Sequence, residues 1–316
     1  MTHARAVIDA EVEITIFISC FNEEQTIGEF HTRLSTALEA LGRPYEIVFV
    51  NDGSGDATLE RLKDIFARDP HVRAVVELFR NSGQAAAITA GLQFARGDAI
   101  LFLDSDLQLD PADLPALYAE FSKGRDMATG YRVRRRDPIT RVVPSIVANA
   151  IMRRVSKSNV RDFGCTFKLF DARLVRAFEF SPFKPLAMPY LISRAGRIGE
   201  VPVSHSPRRA GRSGWTFGKL FRYNMDNFVG ISESPFQALA FAGFFCALLF
   251  LLRIVLMKAV PFSILRVVTN GLVLNVLLFT FLVTLAILAA IGEFTIRGYR
   301  ILSRYPAFVV KEVIQR

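Results

Sequence analysis

A short apolar run followed by two aspartates limits the folds that this chain can adopt. Residues 99–103 are all apolar, which is typical of a strand buried in a parallel sheet. Asp104 and Asp106 follow at once, and residues two apart in an extended segment point to the same side. We therefore expect both carboxylates at the carboxyl edge of a sheet, where open α/β folds bind ligands.

The same two aspartates are candidate ligands for a divalent cation. Carboxylates suit Mg²⁺ or Mn²⁺, and such an ion would in turn bind a diphosphate. An Asp-x-Asp pair alone fits an ordinary loop or helix cap equally well, so neighbouring segments must decide. Asp110 and Pro111 have the residue types expected at the cap and first position of the next helix.

Strand-like and helix-like segments alternate from the N-terminus to residue 131. The predicted strands are 13–19, 45–50, 72–79, 99–103 and 127–131, with helices between them. This alternation predicts a mostly parallel sheet with helices on both faces and a polar carboxyl edge that receives a nucleotide. A dinucleotide-binding fingerprint and a Gly-Lys-Ser/Thr phosphate loop are both missing from the sequence, which argues against those two classes.

Asp52 directly follows the second predicted strand and has two interpretations. Its carboxylate is placed to accept hydrogen bonds from a nucleobase imide or from ribose hydroxyls. The run Asn-Asp-Gly-Ser over residues 51–54 is also strong turn chemistry by itself. Because the aspartate pair follows two strands later, we favour the ligand interpretation.

Two basic segments follow the alternating region. Arg132 begins a run of arginines before an amphipathic helix at about 139–157, which fits either a membrane interface or packing on the domain core. Residues 208–215 place three arginines among small residues, as in a phosphate clamp or a positive surface patch.

Two apolar segments, at about 236–257 and 271–292, are each long enough to cross ~30 Å of hydrocarbon. Arginines and lysines flank the pair on both outer sides, so the positive-inside rule places both termini in the cytoplasm. A helical hairpin buried in a soluble core is the alternative. We expect a nucleotide-binding α/β domain over 1–232 with a second interfacial helix at about 215–232, a transmembrane hairpin over 233–296, and a basic tail over 297–316.

Net charge limits the classes of binding partner, and cysteine spacing indicates the redox compartment. A net charge of +9 suits nucleotide diphosphates or a phospholipid surface, and no segment resembles a nucleic-acid-binding module. The three cysteines are far apart, which indicates neither a disulfide framework nor a zinc site and favours a reducing compartment. The N-terminus does not have the pattern of a signal peptide.

Seven stretches together resemble glycosyltransferase family 2, in its membrane-anchored polyprenyl-phosphate branch. The similarity is greatest to bacterial undecaprenyl-phosphate enzymes of the aminoarabinose-transferase and prophage glucosyl-transferase type. The stretches are 20–23, 51–54, 80–84, 103–108, 162–165, 208–215 and 292–306. The resemblance covers nearly the whole chain.

This resemblance implies a fold and a reaction. The fold is a GT-A type α/β domain, with a mostly parallel sheet and helices on both faces, followed by two transmembrane helices. The reaction is metal-dependent, inverting transfer of a sugar from a nucleotide-sugar to polyprenyl monophosphate at the cytoplasmic face of the inner membrane. The product would serve envelope glycan synthesis or lipid A modification, and relatives suggest a homotetramer.

The resemblance also implies residue roles. Asp104 and Asp106 would bind Mg²⁺ or Mn²⁺, and the catalytic residues would be Asp162, Asp106 and Arg208. The donor-binding residues would be Phe21, Glu23, Asp52, Gly83, Gln84, Asp104, Asp106, Gln108, Lys168, Arg208 and Ser213.

Asp162 has two possible roles, general base or positioner of the acceptor. The acceptor is a phosphomonoester with a second pKa of about 6, so it is already largely ionised at neutral pH. A strong base is therefore hardly needed, and we expect Asp162 to position the acceptor, with Lys168 as a basic partner.

Three other classes of protein are alternatives to a polyprenyl-phosphate glycosyltransferase, and the sequence argues against the first two. A processive polysaccharide synthase needs Gln-x-x-Arg-Trp, whereas Gly211 and Gly214 precede the single Trp215. A transferase with a soluble acceptor would not need the apolar hairpin. A catalytically silent, nucleotide-sugar-binding membrane scaffold is the alternative from another class, and metal-dependent release of UDP would distinguish it.

Overall fold

The computed structural model describes residues 12–133, residues 149–206 apart from 151, 155, 179, 180, 184 and 187, helical positions scattered between 245 and 302, and residues 305–316. Eight strands form one sheet in the order β7-β5-β6-β4-β1-β2-β3-β8. They are β1 Ile14–Cys20, β2 Tyr45–Asn51, β3 Val72–Leu78, β4 Ala99–Asp104, β5 Met127–Arg132, β6 Lys168–Asp171, β7 Ile198–Val203 and β8 Val310–Gln315.

Helices connect the strands in the order that the alternation predicts. They are α1 Ile27–Leu41, α2 Thr58–Arg68, α3 Gln84–Leu92, α4 Leu114–Phe121, α5 Ala172–Arg176 and α6 Met188–Arg194. A 3₁₀ turn, Pro111–Asp113, leads into α4, and its cap is Asp110, whose side chain accepts from the Ala112 N–H at 3.1 Å.

Side-chain alternation along the strands places helices on both faces of the sheet. On β1, Ile16 and Ile18 pack into one buried cluster with α1, whereas Phe17 packs into a second cluster with α3. Both clusters are apolar and closed to solvent. The predicted α/β architecture with helices on both faces is therefore confirmed.

The sheet is mixed, which the alternation does not predict. Strand β6 lies between β4 and β5 and is antiparallel to both, whereas β4 pairs in parallel with β1. The sequence places residues 127–131 next in a simple parallel series, but β5 pairs instead with β6 and β7. A four-residue strand carries too little periodicity for recognition from sequence.

The C-terminus differs from the predicted basic tail. Residues 310–315 form β8, which pairs antiparallel with β3 at the edge of the sheet. The chain divides into one compact unit of Met1–Ile231 with Pro306–Arg316 and another of Ser232–Tyr305. The end of the chain is thus part of the same compact unit as the sheet.

Several predicted segments lie wholly or partly outside the described residues. These are the interfacial helices at 139–157 and 215–232, the basic loop at 208–215, and the apolar segments at 236–257 and 271–292. Among the residues that the structure describes, no helix combines the length and apolar character required to cross a bilayer.

Candidate active site

The first two loops at the carboxyl edge, residues 20–26 and 51–58, are hydrogen-bonded to each other. The Asn22 N–H donates to Ser54 Oγ over 3.0 Å, and the Gly55 N–H donates to Asn22 Oδ1 over 2.9 Å. Asn22 has a φ of 56°, a left-handed conformation that asparagine tolerates better than most residues. The two loops therefore hold a common shape.

The two predicted donor residues of the first loop have different surroundings. The Phe21 side chain is 43% exposed directly after β1, which leaves its ring open to a flat ligand. The Glu23 N–H donates to Thr58 Oγ1 over 2.8 Å, and its carboxylate accepts from Thr26 Oγ1 over 2.5 Å. Phe21 is thus open to solvent, whereas Glu23 is engaged within the two loops.

Asp52 is buried and holds the third loop, residues 79–83. Its Oδ1 accepts from the Ser82 N–H at 2.7 Å, and its Oδ2 accepts from the Gly83 N–H at 2.9 Å. Burial raises the pKa of Asp52, and the two N–H groups oppose this rise by stabilising the charged form. Asp52 therefore shapes the neighbouring loop, while its contact with a nucleobase stays a prediction.

Gly53 provides a second contact between these loops. Its φ is 65°, and an added Cβ would lie 2.4 Å from the carbonyl carbon of Arg80 and 2.7 Å from the nitrogen of Asn81. Those neighbours are backbone atoms that cannot rotate away, so glycine is required here. Gly55 has nothing within 4 Å of such a Cβ, so the constraint is specific to Gly53.

Gln84 connects the third loop to the aspartate pair. Gly83, with a φ of 91°, turns the chain into α3, and Gln84 is the first residue of that helix. Its Nε2 donates to Asp104 Oδ1 over 3.0 Å. Gln84, which is predicted to bind the sugar donor, thus orients Asp104, which has the same predicted role.

The Asp-x-Asp segment is a strand end followed by a tight turn. β4 ends at Asp104, and Ser105 Oγ donates to the Ser19 carbonyl at 3.3 Å. Asp106 is buried, and its Oδ1 accepts from the Gln108 N–H at 3.1 Å. Leu107 has a φ of 56°, which is rare and costly for a bulky residue and is typical of functional turns. The extended geometry assumed from the sequence therefore ends at Asp104.

This donor set fits a magnesium-type ion. Mg²⁺ is usually bound through one or two carboxylates together with waters and substrate phosphates. The described residues contain no group of three acidic, histidine or cysteine side chains arranged as a complete metal cage. Burial raises the pKa of the nearby Cys20 thiol to about 12, and sulfur is in any case not a ligand that Mg²⁺ prefers. Asp104 and Asp106 are the candidate ligands among the predicted site residues, and their binding of an ion stays a prediction.

Residues 205 and 206, which precede the predicted phosphate clamp in the chain, lie beside the aspartate turn. The Ser206 N–H donates to the Gln108 carbonyl at 2.9 Å, and His205 forms an isolated antiparallel bridge with Leu109. Arg208 and Ser213 lie outside the described residues, so their roles stay predictions. Residues 205 and 206, which precede Arg208 in the chain, contact Gln108 and Leu109. Gln108 is itself one of the residues predicted to bind the sugar donor.

Asp162 forms a two-point ion pair with Arg132. Arg132 Nε lies 2.7 Å from Asp162 Oδ2, and Arg132 Nη2 lies 2.9 Å from Asp162 Oδ1. Both side chains are largely shielded from water, at 15% and 8% exposure, which strengthens the pairing. A Cβ at Gly164 would approach Arg132 Nη2 to 3.1 Å, so the small residue leaves room for the guanidinium.

Lys168 has a different partner from the one that we expected. It is 1% exposed on β6, and its Nζ donates to the Phe163 carbonyl over 3.3 Å. Burial lowers the pKa of Lys168, while the charges of Asp162 and Asp104 act in the opposite direction. Such burial leaves little surface for direct contact with a donor, and its visible contact is with the loop that carries Asp162.

Arg132 is the functional candidate that sequence reasoning missed. Arg132 is the last residue of β5, and β5 pairs with β6, which in turn pairs with β4, the strand that ends at Asp104. In the sequence, Arg132 is simply the first member of an arginine run. Its position directly after a predicted strand was the available signal, because such positions lie at the carboxyl edge.

Comparison with known proteins identifies the family. The model of the family "Glycosyl transferase family 2" matches residues 15–178. Dodecaprenyl-phosphate galacturonate synthase from Rhizobium johnstonii is 34% identical, and the match covers 68% of this chain and 65% of that protein, just under two thirds. Undecaprenyl-phosphate 4-deoxy-4-formamido-L-arabinose transferase from Pseudomonas paraeruginosa is 32% identical over 96% of this chain and 90% of that protein.

A solved structure shares the fold. Glucosyl-3-phosphoglycerate synthase from Mycobacterium tuberculosis superposes with a TM-score of 0.55 at 18% identity, covering 70% of this chain and 78% of that one. At this identity the likeness concerns the fold alone, and it supports a GT-A-like α/β domain with a mixed sheet. The chain therefore belongs to glycosyl transferase family 2, and its curated relatives are polyprenyl-phosphate sugar transferases.

Proposed function

We propose that this chain transfers a sugar from a UDP-sugar to a polyprenyl monophosphate, on the cytoplasmic face of the inner membrane. The observation that carries the proposal is the arrangement of Asp104 and Arg132 at one edge of the sheet. They end β4 and β5, which run in the same direction on either side of β6. Two strand spacings are roughly 10 Å, room for a sugar between a diphosphate and an acceptor phosphate.

The donor would occupy the side formed by β1 to β4. Phe21 offers an exposed ring against which a uracil could stack, and Asp52 holds the loop that follows β3. Asp104 and Asp106 face the diphosphate in this proposal. A glycosyltransferase of similar fold was solved with Mn²⁺ and UDP, which supports the same class of donor. A divalent ion, when bound to the two aspartates, would neutralise charge on the departing diphosphate.

The acceptor would occupy the side formed by β5 to β7. Its phosphate oxygen forms a bond to the anomeric carbon, and the bond from that carbon to UDP breaks, with UDP leaving with the electron pair. Arg132 supplies positive charge for the incoming phosphate. Because Arg132 already engages both oxygens of Asp162, we assign Asp162 the role of holding the guanidinium rather than removing a proton.

The relatives and the second unit support a lipid acceptor at a membrane. The names of the two curated relatives specify dodecaprenyl phosphate and undecaprenyl phosphate. At described helical positions between 273 and 302, large apolar side chains are exposed on several sides, including Phe279, Phe281, Leu288 and Phe294. A helix that is apolar on all sides suits a lipid environment.

The test is product identification with the full-length protein in detergent or liposomes. Undecaprenyl phosphate is incubated with UDP-glucose, UDP-N-acetylglucosamine, UDP-galacturonate and the UDP-formamido-pentose in turn, and the lipid product is weighed by mass spectrometry. We expect one sugar to be transferred, with release of UDP that stops on chelation. A silent scaffold would release no UDP, and transfer only to water-soluble acceptors would contradict the proposal.

A further inference from the structure

We propose that the C-terminal arm, residues 306–316, is a positioning element of the donor site. The inference rests on the proposed function, because it concerns the loop that would receive the nucleotide. The arm returns to the domain after the second compact unit and adds β8 to the edge strand β3. β3 leads directly into residues 79–83, the loop held by Asp52.

The arm is anchored by a buried aromatic side chain. Phe308 is 5% exposed and belongs to the apolar cluster that contains Leu78 and Ala86, which lie on either side of the third loop. Just before it, the Ala307 N–H donates to the Pro182 carbonyl over 2.7 Å. The anchor therefore belongs to the same buried cluster as the residues that flank the third loop.

The pairing between β8 and β3 extends to the start of the loop. Leu78 pairs with Val310, and beyond the strand the Phe79 N–H donates to the Val309 carbonyl over 3.1 Å. Phe79 is the first residue of the third loop, so the arm directly holds the loop's backbone. Its far end at residue 83 is held by Asp52, and both ends of the loop are thus fixed.

A β-bulge directs a charge onto the end of β3. The register shifts between Glu77 and Leu78, so that Lys311 is the extra residue on β8. Bulges commonly redirect a side chain next to a functional site. Lys311 Nζ lies 2.9 Å from Glu77 Oε1, a carboxylate that is 10% exposed. Glu312, directly opposite Glu77, pairs with the exposed Lys63 at 2.9 Å, so each of the two carboxylates has a lysine partner of its own.

These contacts make a specific prediction for the donor side. Losing the Phe308 ring or the Lys311 charge should loosen residues 79–83, misplace Gln84 and weaken nucleotide binding. Arg132 and Asp162 lie on the opposite side of β4, so the acceptor side should be unaffected. A general loss of stability would instead lower the affinities for both nucleotide and acceptor, or would lower only the melting temperature.

The experiment uses the full-length protein and measures UDP binding with Mn²⁺ by calorimetry, together with KM for each substrate. We expect Phe308→Ala and Lys311→Met each to weaken UDP binding about tenfold and raise donor KM in parallel, with acceptor KM within about twofold. Phe308→Leu should retain binding. The pair Glu77→Gln with Lys311→Met should recover it, because no unpaired buried charge remains.

Lys63→Met is the matched control, because it removes an exposed ion pair to the same strand and should change neither KM. Hydrogen exchange supplies a second readout, with faster exchange expected at the Ser82 and Gly83 amides in Lys311→Met. If Phe308→Ala does not fold, UDP binding by Lys311→Met and by the double variant Glu77→Gln with Lys311→Met tests the inference. Equal UDP binding by wild type and Lys311→Met overturns the inference, whereas a wild type that does not bind UDP overturns the proposed function.

Discussion

The two halves of the carboxyl edge are built in different ways. The half over β1 to β4, which we call the proposed donor half, is held by short hydrogen bonds that side chains accept from backbone N–H groups and by one close backbone approach at Gly53. The half over β5 to β7, the proposed acceptor half, contains the Arg132–Asp162 ion pair and the buried Lys168. Hydrogen bonds within the protein shape the first half, whereas the second contains the Arg132 guanidinium, which an anionic acceptor would engage.

This difference has a chemical reason. A nucleotide is a large ligand with a fixed outline, so rigid loops reduce the entropy that its binding costs. A lipid phosphate is a small, doubly charged group, for which a guanidinium offers matched hydrogen bonds. We therefore expect substitutions in the donor half to change affinity for nucleotide, and those in the acceptor half to change the rate of transfer.

The largest effect should come from the aspartate turn. Asp106→Asn removes one negative ligand of the proposed metal, and we expect kcat to fall by about a thousandfold or more with the fold retained. UDP release measures the rate, and a chelator followed by Mn²⁺ restores wild-type turnover as the control. Activity within tenfold of wild type would show that the turn is not the catalytic centre.

The second prediction separates the two roles of Asp162. If it holds Arg132, Asp162→Asn should slow transfer by about ten- to a hundredfold at every pH, since an amide keeps one of the two contacts. If it is the base, the rate should recover sharply at high pH as hydroxide substitutes.

Arg132→Met should be more damaging, because it leaves the Asp162 carboxylate buried and without its guanidinium at a cost of about 3–5 kcal/mol. The pH–rate profile and a thermal melt measure both.

A pair of glycines tests the rigidity of the donor half. Gly53→Ala should destabilise the fold by about 1–3 kcal/mol, because its Cβ meets backbone atoms in a left-handed conformation. Gly55→Ala should change stability by less than about 0.5 kcal/mol, because the space around it is open. Chemical denaturation compares the two. Equal effects would mean that the contact between the second and third loops carries no strain.

The smallest effect on stability is expected at Asp52. Asp52→Asn keeps only one acceptor oxygen for two N–H groups, so nucleotide binding should weaken about tenfold. Thermal stability should change little at neutral pH, because the substitution also removes a buried charge. The raised pKa means that the folded state binds more protons than the unfolded chain, so stability falls as pH rises from the ordinary aspartate pKa to the raised one. This slope should be absent from melts of Asp52→Asn.

Much of the donor half could be predicted from sequence because its signals are local. The apolar runs, the turn residues after each strand and the Asp110–Pro111 helix start all operate within a few residues, and the first five strands lie close to their predicted bounds. Asp104, Asp106 and Gln84 were named as site residues, and the structure brings Gln84 and Asp104 into hydrogen-bonding contact.

The acceptor half and the sheet edges depended on contacts between distant parts of the chain. The insertion of β6 between β4 and β5, the addition of β8 to β3, and the choice of Arg132 rather than Lys168 as the partner of Asp162 are all non-local. Local periodicity reports which face of a segment is buried but not which strand it meets.

The sequence by itself therefore determined the class of fold, the family resemblance and the residues of the aspartate turn, since each is written in consecutive residues. Only the tertiary structure decided the strand order, the ion pair between Arg132 and Asp162 and the return of the C-terminal arm to the sheet. The physical reason is that pairing partners are selected by the packing of the whole domain, in which segments more than two hundred residues apart, such as β3 and β8, become neighbours.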